Sequence, residues 1–546
     1  MKIKILSVIG ICLLALASTQ TALAAEWQWS VTIDSVASPE THDHPRAFLW
    51  IPPNCRRVRG VVVGQHNMEE EMIFEHPKFR ATLEELGFAE IWVTPPLDLF
   101  FRFDQGAGEH FDEMMKALAA ESGYSELSTT PIVPIGHSAA ASYPWNFGAW
   151  APWRTLAVLS ISGQWPYYKD ANTPGWDGLT VDGIPGLVTI GEYENAYDRA
   201  GEGLKERAEH PLSPLSMLAE PAGEHFSASD AKISFICLYL RKAAQYRLPA
   251  DWPLNQPPVL KPIDPTKTGW LVDRWRYDGK PTAPAAPVGE YTGNANNAFW
   301  VFDGELAKEV ETFGAMYAGK KLELLGYVQK DGVVAQIPKR HVRVALKFEP
   351  EADGITFRLS GTFLDTVPYD WRGLKEGDAI THAQDTSKIS IDRICGPVAR
   401  IGPETFAIRE NRVGMDNPKR STSICLMLSD SGDETHRPMM LESELKFPLV
   451  NKDGQDQEIK FSLPQNVPLG TVLLPLSANS SADMPVYFYV REGPAYVEGK
   501  TIRFTPIPPR AKFPVKVTVV AWQWGRSIDP RVKTATPVEQ TISITK

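Results

Sequence analysis

Two hydrophobic patterns divide this chain. Up to about residue 250, short apolar runs alternate with longer amphipathic or small-residue stretches. The runs Gly60-Val61-Val62-Val63-Gly64, Pro131-Ile132-Val133-Pro134-Ile135, Gly186-Leu187-Val188-Thr189-Ile190 and Ser216-Met217-Leu218-Ala219 read as strands, with a further strand over about 156–161. The long stretch over about 229–246 reads as an amphipathic helix. Beyond 250 the pattern changes to short runs with period two. Examples are His341-Val342-Arg343-Val344-Ala345-Leu346-Lys347-Phe348 and Ile355-Thr356-Phe357-Arg358-Leu359. One further helix is expected over 305–317.

These patterns predict an α/β domain over 25–253, a Pro- and Lys-rich linker over 254–287, a β-rich domain over 288–440, and a last domain over 441–546. The last region is almost all short strands separated by turn residues, and its length suits a β-sandwich of Ig type.

The first 24 residues read as a signal peptide: Lys2 and Lys4, an apolar stretch over 5–17, and Ala22-Leu23-Ala24 as a small-residue cleavage site. The apolar stretch is shorter than a bilayer span, which disfavours a membrane anchor, and no later segment reaches that length. The expectation is an exported protein, periplasmic or extracellular. The formal net charge of −10 becomes more negative by two once both lysines are removed. No basic cluster offsets it, so nucleic acid is a poor partner. Cys55, Cys237, Cys395 and Cys425 remain after cleavage. Export permits disulfides, and Cys395 and Cys425 share one β-rich region, but the sequence does not choose among the pairings. No cysteine has zinc-site spacing, His42-Asp43-His44 is read as incidental, and no metal or cofactor is expected.

The most informative residues are Gly136-His137-Ser138-Ala139-Ala140, between the apolar run ending at Ile135 and a small, helix-compatible run ending near Trp150. Strand, sharp turn and helix with serine at the apex is the layout of a nucleophile elbow, which needs small residues two before and two after the serine. Downstream, Gly191-Glu192-Tyr193-Glu194-Asn195 follows a strand, and Gly223-Glu224-His225-Phe226 lies between a strand and the 229–246 helix. His210, in Glu209-His210-Pro211, falls before the 216–219 strand, on its wrong side. On these features, residues 26–250 resemble the α/β-hydrolase superfamily. Ala140 departs from the glycine that usually ends the elbow.

The resemblance implies a catalytic order of serine, acid, histidine. Ser138 is then the nucleophile and His225 the base. Glu194, a few residues beyond the strand's last glycine, is the favoured acid, with Glu192 as its competitor. An oxyanion hole is implied at the N–H of Ala139 and at Asn67 or Met68 in the loop after the 60–64 strand. His66 in that loop is either a substrate contact or ligand, or a residue packed beneath the site. The C-terminal segment, with Gly493-Pro494-Ala495 and the run 514–523, is similar to Ig-like modules on large secreted bacterial hydrolases, some of which act on plant or algal polysaccharides.

Trp165, Tyr167 and Trp176 lie in the stretch that crosses the active site in this fold. Such rings either stack on sugar faces or pack the loop to the domain. Phe100, Phe101 and Phe103 either line an acyl pocket or belong to the core. The leading expectation is a secreted serine esterase acting on an ester substrate such as an acylated polysaccharide. The alternatives are another serine hydrolase, such as a peptidase or lipase, or a catalytically silent carbohydrate-binding protein. The β-rich regions are expected to carry none of the chemistry, and to bind substrate, orient the enzyme on a larger polymer, or brace the first domain.

Overall fold

A computed structural model describes residues 27–338, 342–410 and 417–546; the expected signal peptide and His341 lie outside the described residues. The first region contains β1 (Trp29–Thr32), β2 (Arg46–Trp50), β3 (Gly60–Gln65), α1 (Glu69–Glu75), α2 (Pro77–Leu86), β4 (Phe88–Thr94) and α3 (Ala107–Ser122). It continues with β5 (Ile132–His137), α4 (Tyr143–Trp150), β6 (Val158–Ile161), β7 (Gly186–Gly191), α5 (Ala196–Glu209), β8 (Leu215–Glu220) and α6 (Asp230–Arg247). The eight strands form one sheet in the order β1-β2-β4-β3-β5-β6-β7-β8. Only β2 runs against the others. Strands β3 to β8 are buried throughout, which explains their nearly unbroken apolar runs: helices cover both faces. This is an α/β-hydrolase fold, with the serine turn at the C-terminal end of β5.

Local signals set the helix boundaries. Pro77 opens α2, the His76 side chain accepts from the Lys78 N–H, and Gly87 closes it in the left-handed region at φ +67°. Ser229 caps α6 by accepting from the Lys232 N–H.

The segment read as a linker differs from that expectation. Trp270–Asp273 is a strand, paired with Ala286–Pro287 and Ala298–Val301, and the helix Gly304–Ala315 follows. Leu271, Val272, Trp300, Val301, Phe302 and Leu306 belong to one buried cluster with Leu240, Tyr239 and Ile236 of α6. The Ser216 hydroxyl of β8 donates to the Trp300 carbonyl at 2.6 Å. These residues extend the hydrolase layer, because their apolar side chains cover a face that α6 leaves open. The Pro- and Lys-rich composition marked the irregular stretches and hid the short strand between them.

Further on, Val344–Leu346, Met439–Lys446, Ser423–Asp430 and Ser390–Cys395 form a four-stranded sheet in that order. Smaller three-stranded sheets accompany it. Cys395 and Cys425 face each other across this ladder as free thiols. The last region has a four-stranded and a three-stranded sheet, whose Val517, Ile542 and Ile502 share one core. The expected β-rich character of this region is present as small sheets around a shared core. That core is continuous with Trp29, Phe111 and Leu118 of the first region. Arg510 pairs with Glu126 at 2.7 Å, and the Lys512 N–H donates to the Ser122 carbonyl at 2.9 Å. Among the described residues no helix is long and apolar enough to cross a membrane.

Candidate active site

The turn after β5 holds Ser138 at φ +51°, in the left-handed region that disfavours side chains. Gly136 explains how the chain tolerates this. A Cβ there would lie 2.0 Å from the Ala140 carbonyl oxygen, so the turn closes only over glycine. Ala140 is buried, and the elbow accepts its methyl group. Ser138 itself is half-buried and Ala139 is exposed, so the serine opens to solvent.

Three loop ends converge on this serine. The Ser138 Oγ lies 2.6 Å from His225 Nε2, and His225 Nδ1 lies 2.6 Å from Glu194 Oε1. In the tautomer this arrangement requires, Nδ1–H donates to the carboxylate and Nε2 accepts from the hydroxyl. Gly191 lets the acid and histidine loops meet: a Cβ on it would stand 2.5 Å from the carbonyl oxygens of both Gly223 and Glu224. Glu192 is not brought to the histidine. Its carboxylate is buried against Arg437 and accepts from the Ala222 N–H at 2.9 Å. The Asn195 backbone at φ +60° then turns the chain into α5, leaving Glu194 on the site side.

Ala139 stands in the first turn of the short helix Ser138–Ala140, where backbone N–H groups lack an intrahelical acceptor, and the Asn67 N–H has no acceptor among the described residues. The Met68 N–H does: it donates to Glu70 Oε2 at 3.0 Å, which removes it from the pair of expected donors. The Asn67 side chain is committed elsewhere. Its Nδ2 donates to the His137 carbonyl at 2.5 Å, and its Oδ1 accepts from Arg420. His66 is buried between Thr94 Oγ1 at 2.7 Å and Glu71 Oε1 at 3.2 Å, so it packs beneath the site.

Under the serine lies a buried polar network that the sequence reading missed. The run Glu69-Glu70-Glu71 opens α1, and all three side chains are buried. Glu70 Oε1 accepts from the His137 N–H at 2.6 Å, so one carboxylate ties the loop after β3 to the elbow. Burial pushes Glu70 up to about 7. Burial likewise pushes Glu69 up to about 8, against the pull of Lys232 at 2.6 Å. Lys232 also reaches Glu220 at 3.3 Å. Burial, followed by the neighbouring His225, holds the His137 imidazole well below its ordinary value. It is therefore neutral, and its Nε2–H donates to the His225 carbonyl at 2.8 Å. The legible signal was three consecutive acids at a helix start, where the N-terminus favours negative charge, directly after the loop singled out for the oxyanion hole.

The aromatic residues expected at the substrate are placed differently. Trp165 is 4% exposed, stacks on Phe299 and donates its indole N–H to the Arg199 carbonyl. Trp176 is 8% exposed and donates to Asn146 Oδ1. Tyr167 stacks on His210 at 3.7 Å. These rings pack the 163–185 loop onto the domain and present no open platform to a sugar; large apolar faces are more stable covered than wet. Phe101 is likewise a core residue, between Phe111, Tyr143 and Phe147.

The search of protein families finds no family model that matches the chain, and the search of curated proteins finds no matching relative. Solved structures similar to it include a fluorophosphonate-binding serine hydrolase of Staphylococcus aureus, 10% identical, covering 40% of this chain and 96% of its own, with a TM-score of 0.26. An S-formylglutathione hydrolase from Agrobacterium tumefaciens is 13% identical, over 41% and 96% of the two chains, with a TM-score of 0.29. A dienelactone hydrolase from Anabaena variabilis is 16% identical, over 40% and 96%, with a TM-score of 0.26.

Proposed function

We propose that the chain is an exported serine hydrolase that cleaves carboxylic esters through an acyl-enzyme on Ser138. One observation carries this reading: the unbroken chain Ser138 Oγ, His225, Glu194, with 2.6 Å at each link, at an elbow whose serine is strained and open. The Ser138 oxygen attacks the ester carbonyl while its proton passes to His225 Nε2. Glu194 stabilises the resulting imidazolium. The N–H groups of Ala139 and Asn67 receive the oxyanion. Collapse of the tetrahedral intermediate breaks the ester C–O bond, and the alcohol leaves with the proton from His225. Water, deprotonated by the same imidazole, then releases the acid and restores the serine.

An esterified carbohydrate is the substrate class we favour. Three features support it: the signal-peptide pattern, the serine's opening to solvent, and a C-terminal sandwich similar to modules of secreted bacterial hydrolases. Substrate contacts then come from groups other than Trp165 and Trp176. The test is a fluorophosphonate probe on the intact protein, with the labelled peptide mapped by mass spectrometry, and turnover of short-chain nitrophenyl esters and of an acetylated polysaccharide. Labelling at Ser138, lost in Ser138→Ala, is expected. Ester turnover that survives in Ser138→Ala refutes the nucleophile.

A further inference from the structure

The region beyond residue 318 reaches the back of the site through buried side chains. The strand Met439–Lys446 lies between Val344–Leu346 and Ser423–Asp430. Its Glu442 is fully buried, and Oε1 accepts from the Phe226 N–H at 2.6 Å and from the Ser227 hydroxyl at 2.9 Å. These are the two residues that follow His225. The Ser227 Oγ in turn accepts from the Glu224 N–H at 2.7 Å, and the Glu224 carboxylate pairs with Arg343. The Phe226 ring packs on Ile394, Cys395, Cys425, Met427 and Met440 of the same sheet. The loop that presents His225 is thus bracketed, before and after the histidine, by partners from outside the hydrolase sheet.

We infer that Glu442 is a positioning residue for the reaction. It is a buried acceptor from the β-rich region that fixes the 224–227 loop, so that His225 stands at once against Ser138 and Glu194. This rests on the triad reading above. The residues between β8 and α6 form no helix or strand, so their buried N–H groups need acceptors from elsewhere. For Phe226 that acceptor is Glu442. Without it, the buried N–H drives the loop to move toward another partner. His225 makes two 2.6 Å contacts and tolerates little displacement; a shift of about 1 Å costs on the order of 100-fold in rate. Burial, with the nearby Glu194 carboxylate, pushes Glu442 up to about 8 despite its two donors. A glutamine amide oxygen is therefore a close substitute for this acceptor.

The experiment uses the full chain and compares Glu442→Gln with Glu442→Leu. It follows kcat and KM on an activated ester, the rate of fluorophosphonate labelling of Ser138, and the melting temperature. In Glu442→Leu, kcat and the labelling rate should fall roughly 30- to 100-fold, with KM within about twofold of wild type. Glu442→Gln should stay within about threefold. A folded Glu442→Leu that labels at the wild-type rate overturns the inference, as does a Glu442→Gln that falls equally far. If Glu442→Leu does not fold, Glu442→Asp withdraws the acceptor by one methylene and should lose about 5- to 10-fold in kcat alone; wild-type kcat there overturns the inference equally. Failure of the wild-type chain itself to label at Ser138 is a different result, and overturns the serine-hydrolase reading first.

Discussion

Ending the chain at residue 253 should unfold the α/β domain rather than isolate it. The cut removes Leu271, Val272, Trp300, Val301, Phe302, Leu306 and Phe313, each at most 5% exposed and each in one cluster with α6 and the central sheet. Burying a side chain of this kind is worth about 1.5–3 kcal/mol, so these seven represent roughly 10–20 kcal/mol. If half of that belongs to the surface left behind, the truncated domain forfeits about 5–10 kcal/mol, comparable with the whole stability of a typical domain at about 5–15 kcal/mol. The cut also strips the sandwich from Trp29, Phe111 and Leu118. The assay is size-exclusion chromatography and a circular-dichroism melt of residues 25–253 beside the full chain, with turnover of a soluble ester. Aggregation or a non-cooperative melt, without turnover, is expected. A soluble monomer that melts within a few degrees of the full chain refutes the reasoning and restores independent domains.

Glu194→Gln should lower kcat by about two to four orders of magnitude with little change in melting temperature, since it disturbs the imidazole tautomer alone. Glu192→Gln should do the reverse: it weakens the buried pair with Arg437 and lowers the melting temperature while kcat holds; parallel kinetics and melts decide between them. Gly136→Ala should cost about 1–3 kcal/mol of stability and most of the labelling at Ser138, because the new methyl group meets the Ala140 carbonyl; a variant labelled at the wild-type rate contradicts this. Glu323 is buried, and burial, with Asp430 adding to it, raises it to about 7. A carboxyl raised on folding contributes stability fully below its unfolded value of 4.5 and loses it as pH climbs through about 7. Glu323→Gln should therefore flatten the fall in stability between pH 4.5 and 8, measured by urea unfolding; an unchanged slope rules this out.

Much of the hydrolase region was legible in the sequence, for local reasons. A strand buried on both faces must be apolar along its length, so β3, β5, β7 and β8 show as runs such as Val61-Val62-Val63. A strained serine turn needs small neighbours, so Gly136 and Ala140 flank Ser138. Loop ends at one edge of a sheet can meet, so His225 and a glutamate near 192–194 could be nominated before any distance was known. The sequence left Glu192 and Glu194 open because they are two residues apart in one loop. Only the backbone turn at Asn195 and the buried Arg437 send one to the histidine and the other away from it.

Contacts between residues distant in sequence were decided by the tertiary structure. Nothing local marks Glu442 as the acceptor for Phe226, 216 positions earlier, or Arg420 as the partner of Asn67. Nor does composition tell an exposed tryptophan from a buried one, so the sequence left Trp165 and Trp176 open between sugar stacking and loop packing, and burial decides for packing. The short strand Trp270–Asp273 was invisible among prolines and lysines because its stability comes from the strands and the helix packed against it. The chain itself specifies periodicity, turn chemistry and the order of reactive groups, since these depend on a residue and its near neighbours. Burial and pairing depend on which surfaces meet, and that is settled only when the whole chain has closed around its cores.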